Sequence, residues 1–267
     1  MSPGSFILFL VTALVCLSSA YGQNDEIRLI ESLLEKYPKG GGRPVANFTD
    51  SIEVKLKMHL LHVEKVDTFA KVFSIVAWLS QQWTDTLLQW DPSEFGGVDY
   101  VLMDLSSIWR PDITLFNALD KPQLLQPVMA HVSSTGDIII VEAFKFVSQC
   151  PDVKKDQKNP SCTLKFGSWS YDVSRLSISG SEEKVDISHF QTSNVYELLG
   201  SKVKAEEKTY PCCPGTKYGH VGFTIELEER KQEPEVDPNA SSAPISFAKA
   251  GTVAALVALQ LALLSLS

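Results

Sequence analysis

The chain has 267 residues, and its 24 Lys and Arg against 32 Asp and Glu leave a formal charge of −8. An acidic balance argues against a nucleic-acid partner and is compatible with a cationic ligand. Composition shows no break between residues 23 and 240, so one domain with a full-sized core is expected.

Residues 5–20 are mostly apolar and run into Ala20-Tyr21-Gly22, a small-x-small cleavage pattern, so residues 1–22 read as a signal peptide. A membrane anchor is the alternative, but the run is short for one. The next segment, 24–37, reads as an amphipathic helix. Ile27, Ile30, Leu34 and Tyr37 recur at helical spacing, Asn24 is placed as N-cap, and Asp25 and Glu26 fill the first turn. Pro38 and the glycines after it stop the helix. Asn47-Phe48-Thr49 is a glycosylation sequon and marks an exposed loop; Asn239 begins a second sequon.

Strand patterns begin at Ile52, Val54, Leu56, Met58 and Leu60, which alternate with mostly polar residues. Residues 68–90 are rich in β-branched and aromatic side chains and end at Asp91-Pro92. Alternation returns near 137–147, 163–176 and 221–228, the last with Val221, Phe223, Ile225 and Leu227 on one side. Turn signals stand at 133–136, Ser179-Gly180 and Pro214-Gly215. One helix followed by many short strands predicts an all-β fold, an immunoglobulin-like β-sandwich of about ten strands with an N-terminal α-helix. The domain is expected over 23–230, with a Pro-rich stalk over 231–243.

Of five cysteines, Cys16 lies in the signal peptide. The other four, in a secreted chain, imply two disulfides, and the local pairing is Cys150–Cys162 with Cys212–Cys213. Joining neighbours is awkward. Adjacent Cα atoms lie about 3.8 Å apart, whereas ordinary disulfides span about 4.4–6.8 Å. Pro211, Pro214 and Gly215 supply the turn that such a ring needs; otherwise each cysteine pairs elsewhere or stays free. Neither C-x-x-C nor H-E-x-x-H occurs, so no metal or cofactor is expected. His59 and His62, three apart in a strand, should face opposite ways and not share a metal.

The small residues 239–243, a short spacer and the apolar run 251–267 have the layout of a GPI-anchor signal. Asn239, Ser241 and Ser242 are the candidate attachment residues, and residues 244–267 would be removed. A tail-anchored membrane helix is the alternative. The expected location is the outer face of the plasma membrane.

Several stretches resemble the extracellular ligand-binding domain of the nicotinic, Cys-loop receptor family. They are Arg43-Pro-Val-Ala46, Trp78-Leu-Ser-Gln-Gln-Trp-Thr-Asp85 with Leu88-Gln-Trp90, Ile108-Trp-Arg-Pro-Asp-Ile113, Lys165-Phe-Gly-Ser-Trp-Ser-Tyr171 and Tyr210-Pro-Cys-Cys213. Channels of that family continue into four membrane helices and carry an apolar Phe-Pro-Phe core in the Cys-loop. Here there is one apolar tail, and residues 151–161 are very polar. The resemblance therefore points to the acetylcholine-binding proteins, relatives without a channel that assemble as pentamers.

A quaternary ammonium cannot donate a hydrogen bond and is held by aromatic faces, each worth about 0.5–1 kcal/mol when exposed and ~2 when dry. Micromolar affinity requires about 8 kcal/mol, hence several rings. The resemblance implies Trp169 as the main cation–π face, Tyr210 and Tyr218 closing from the Cys212–Cys213 loop, and Phe116 where the family usually has tyrosine. It assigns Trp78, with His131, Ile139 and Val141, to the complementary face of a neighbouring subunit. Lys165 matches a lysine that bonds the first tyrosine of the loop, and His220 stands where its acidic partner usually lies. Read alone, Trp78 and Trp169 could equally be core residues, as Trp83 and Trp109 are expected to be.

Three function classes follow. The first is an extracellular, homopentameric binding protein for a small cationic, neurotransmitter-like ligand, attached to the membrane through a lipid anchor. The second is a ligand-silent structural or accessory module that assembles with Cys-loop receptor subunits. The third, an enzyme such as an esterase, has little support: no Gly-x-Ser-x-Gly elbow occurs, no Ser/His/acid grouping is evident from spacing, and no catalytic residue is assigned.

Overall fold

The computed structural model of this chain describes residues 24–230 apart from 39, 41, 156, 193 and 194. The expected signal peptide, the expected stalk with Asn239, Ser241 and Ser242, and the apolar run 251–267 lie outside the described residues.

The helix α1 (Asp25–Lys36) starts where expected. Asn24 caps it, its side chain accepting the Glu26 N–H at 3.0 Å. Its buried stripe differs from the expected one: Leu29, Leu33 and Tyr37 are buried, whereas Ile27 is half exposed. At about 100° per residue, Ile27 falls roughly 120° round the helix from Leu33. Tyr37 ties α1 to the sheets. Its hydroxyl donates to Asp85 Oδ2 at 2.6 Å and accepts the Trp109 N–H at 2.9 Å.

Eleven strands follow among the described residues: β1 (Ile52–Asp67), β2 (Val72–Thr84), β3 (Tyr100–Asp104), β4 (Ile113–Leu115), β5 (Gln123–Leu124), β6 (Met129–Ser133), β7 (Asp137–Gln149), β8 (Ser161–Ser168), β9 (Leu176–Gly180), β10 (Tyr196–Thr209) and β11 (Lys217–Glu229). They form two sheets. The larger runs β3-β6-β7-β2-β1-β9, with β5 beside β7; the smaller runs β10-β11-β8-β4. Pairing is antiparallel except for β1 against β9.

The alternation in β1 and β11 places the core. Ile52, Val54, Leu56, Met58 and Leu60 are buried from one sheet, and Val221, Phe223, Ile225 and Leu227 from the other. Each such side chain contributes about 1.5–3 kcal/mol of burial. Phe146 of β7 meets Phe166 of β8 edge-to-face at 5.4 Å, and Phe166 meets Phe223 at 5.8 Å. Trp83 and Trp109 are both buried, as expected.

Cys150 and Cys162 form a disulfide that ties the end of β7 to β8, one strand from each sheet. A staple of this loop size is worth roughly 2–4 kcal/mol. Within the intervening loop Val153 is buried, and Lys154, Lys155 and Lys158 are exposed.

One strand expectation is corrected. A register shift between Leu60 and His62 inserts Leu61 as an extra residue, so His59 pairs with Trp78 and His62 with Val76. Trp78 and Val76 are two apart and share a face, and the bulge therefore puts both histidines on that same face. No His, Cys, Asp and Glu grouping able to hold a metal occurs among the described residues.

Candidate functional site

The turn carrying Trp169 is built by Asp112. Ser168 Oγ donates to Asp112 Oδ1 at 2.5 Å, and the Ser170 N–H donates to Asp112 Oδ2 at 2.7 Å. The Tyr171 N–H donates to Ser168 Oγ at 2.9 Å. These bonds fix the backbone on both sides of Trp169 while leaving its indole 69% exposed. From the other side Tyr171 packs on Trp109 at 6.5 Å, which meets buried Trp83 at 6.2 Å. Sequence reasoning missed Asp112 and Ser168 as supports. The Pro-Asp pair at 111–112 was the only local signal.

A chain of rings leads away from Trp169. Phe116, just after β4, lies 5.7 Å from the Trp169 ring. The edge of His220 meets Phe116 at 4.5 Å. Tyr210 lies 6.1 Å from His220 and 5.7 Å from Tyr218. The Tyr210 hydroxyl and His220 Nε2 are 3.0 Å apart, so His220 has taken the place expected for the Lys165 partnership. The Lys208 ammonium stands over the Tyr210 ring at 5.2 Å, a direct instance of that face attracting a cation. Below these rings Phe116, Tyr210 and His220 line one end of a cleft of about 450 Å³.

Burial pushes His220 below the ordinary histidine range, with Lys208 and Lys165 adding to the effect and Glu206 opposing it. Burial also raises Tyr210, helped by Cys212 and Glu206. The Tyr218 hydroxyl is raised first by its hydrogen bond with Cys213.

The β10–β11 hairpin carries the adjacent cysteines at its tip. Gly215 there adopts φ 86°, and the Cys213 N–H donates to Tyr210 O at 3.0 Å. Cys212 and Cys213 are free thiols, their sulfurs 3.0 Å apart. A bond would need about 2.05 Å between sulfurs.

The second set of residues meets on the outer face of the larger sheet. Trp78 stands opposite Ala143 and His59, Val141 opposite Ser80, and Ile139 opposite Gln82 and His131. Ile139 and Val141 are exposed, and with Tyr100, Leu102 and Met129 they make an apolar surface across β3, β6 and β7. His131 stacks on Tyr100 at 4.7 Å. Trp78 is half-buried between His59 at 6.0 Å and His189 at 5.1 Å. His59 Nδ1 lies 3.2 Å from Asp186 Oδ2, close enough for attraction but not aligned as a hydrogen bond. Burial lowers the His59 pKa and Asp186 opposes it. No spacing in the sequence marks His189 or Tyr100.

Each of the two groups of residues is brought together, but on different sheets. Among the described residues no ring contact joins Trp78 or His131 to the Trp169, Phe116, Tyr210 and Tyr218 group.

Residues 26–231 match the sequence profile of the family described as the neurotransmitter-gated ion-channel ligand binding domain. The chain is similar to acetylcholine receptor subunit alpha-1-A of Xenopus laevis, 32% identical over 229 residues, covering 82% of this chain and 50% of that protein. It is similar to acetylcholine receptor subunit alpha-type acr-16 of Caenorhabditis elegans, 32% identical over 233 residues, covering 85% and 46%. It is also similar to neuronal acetylcholine receptor subunit alpha-3 of Homo sapiens, 30% identical over 218 residues, covering 80% and 42%. The chain thus spans half or less of the length of these relatives.

Proposed function

Because this chain belongs to the neurotransmitter-gated ion-channel ligand binding domain family, we propose that it is an extracellular binding protein for acetylcholine-like cations. The ligand sits in an aromatic box completed between two copies. The observation that carries this reading is the state of Trp169. A tryptophan held rigidly by Asp112 and Ser168, yet 69% exposed and leading a run of four further rings, is not serving a core. Trp169, Phe116, Tyr210 and Tyr218 form the principal face, with Cys212 and Cys213 capping it. Trp78, His131, Ile139 and Val141 form the complementary face of the next copy.

The exposed apolar surface around Ile139 and Val141 supports assembly through that face. A closed ring of identical copies joins unlike faces head to tail, which is what two distinct half-sites require. The loop between Cys150 and Cys162 supports binding without channel coupling, since Val153 is buried and its lysines face solvent. All the named relatives above are receptor subunits, in keeping with non-catalytic binding.

Tryptophan fluorescence separates this reading from the ligand-silent accessory module. A quaternary ammonium agonist should quench or shift the tryptophan emission saturably in the wild type, with a smaller change in Trp169→Phe, which keeps Trp78 in the box. No saturable change in the wild type would favour the silent module.

The same reading puts the protein on the outer face of the plasma membrane, held through the small-residue segment 239–243. Asn47, exposed in its sequon, is the proposed glycan site within the domain. Phosphatidylinositol-specific phospholipase C should release the protein from cells. Retention after verified digestion of a control anchor would mean a membrane helix instead.

A further inference from the structure

The aromatic box proposed above contains one titratable ring at its centre. His220 is only 5% exposed, with Nε2 3.0 Å from the Tyr210 hydroxyl and its edge against Phe116. The fold makes room for it. His220 of β11 lies opposite Gly167 of β8, and a Cβ at Gly167 would fall 2.7 Å from His220 Nδ1 and 2.9 Å from the Phe116 ring. Any larger residue there would displace the imidazole or the phenyl ring. The charged groups around His220 are Lys208 and Glu206 from β10 and Lys165 from β8. Two of these three are cations.

We propose that His220 is the positioning residue for Tyr210, and that the box accepts a quaternary ammonium only while this imidazole is neutral. A neutral Nε2 accepts the Tyr210 O–H and holds that ring in the cluster without adding charge. A protonated imidazole can no longer accept at Nε2. It also places a positive charge among rings whose faces are there to attract the ligand's own charge. Proton and ligand then compete, and affinity falls as pH falls through the titration of His220.

This proposal rests on the aromatic-box reading, and the experiment keeps the two apart. Carbamoylcholine, a quaternary ammonium, is titrated into the full-length protein and its His220→Gln variant at several pH values. In the wild type, affinity should drop on the order of tenfold between about pH 8 and about pH 5. Glutamine can still bond Tyr210 but cannot be charged. Measured against its own affinity at about pH 8, the variant should lose most of the acid dependence that the wild type shows. His59 and His189 beside Trp78, and His131 on Tyr100, are present in both proteins, so their contributions cancel in the comparison. An equal acid loss in both proteins would overturn the proposal while leaving the box intact. A wild type that binds no carbamoylcholine at any pH would sink the box and this proposal with it.

A second measurement needs no ligand. The imidazole NMR signal absent from His220→Gln identifies His220. Tyr210→Phe should move its titration to higher pH, because the hydroxyl no longer supports the neutral ring. An unmoved titration would mean that Tyr210 and His220 are not partners, and the proposal would fall.

Discussion

Trp169→Ala is expected to weaken binding of a quaternary ammonium agonist by roughly thirtyfold or more. That corresponds to losing about 2 kcal/mol of desolvated cation–π attraction. The indole is available for this role because Asp112 and Ser168 hold its turn while its faces stay uncovered. In one chain the ring is too exposed to be worth that much. The expected size includes closure of the Tyr210–Tyr218 hairpin and the approach of a second copy. Trp169→Phe should cost less, since a weaker π face remains. Phe116→Tyr should leave binding unchanged or strengthen it by restoring a hydroxyl at that ring. Calorimetric titration reads each effect, with circular dichroism confirming the fold. Wild-type affinity in a folded Trp169→Ala protein would remove the centre of the account.

Assembly carries the second large effect. Trp78 and Trp169 sit on different sheets, and no ring contact joins their groups among the described residues. On the proposed reading a single copy offers two half-sites and no complete one. Light scattering should give a mass of about five chains, the number that the family resemblance implies for a ring closed by head-to-tail contacts. Trp78→Ala should weaken binding on the scale of Trp169→Ala, on the order of tenfold or more, without dissociating the ring. A monomer that binds the agonist at full strength would contradict this.

The parts of the fold that could be read from sequence are those in which one face alone is buried. In β1 and β11 strict alternation names the core residues, and all nine named positions are buried. The polar strand β10 could not be read that way. It is an edge strand whose two sides are both largely solvated, so hydrophobic period carries no information there. The bulge at Leu61 moved His62 to the face of His59, a backbone event without a clear marker in the residues themselves. The helix stripe was read from the wrong member, since Ile27 is as apolar as Leu29 and only docking distinguishes them.

The site divides in the same way. The residues of both faces could be named only because whole motifs resemble a family; spacing alone left Trp78 and Trp169 open between core and surface. Exposure of Trp169 and burial of Trp83 depend on contacts between distant segments, such as Ser168 with Asp112, 56 residues apart. The bond between Tyr210 and His220 likewise depends on the hairpin register that brings β10 back along β11.

The claim that the box is completed between copies is tested most directly by mixing two defective subunits. Trp169→Ala lacks a working principal face and Trp78→Ala a working complementary face, so neither alone should bind with wild-type affinity. Co-expressed in equal amounts, they should assemble at random. About a quarter of interfaces then pair an intact principal face with an intact complementary one. Calorimetry on the mixed protein should find high-affinity sites at about a quarter of the wild-type number. If mixing restores none although the two subunits co-purify, each site lies within a single chain and the account is wrong.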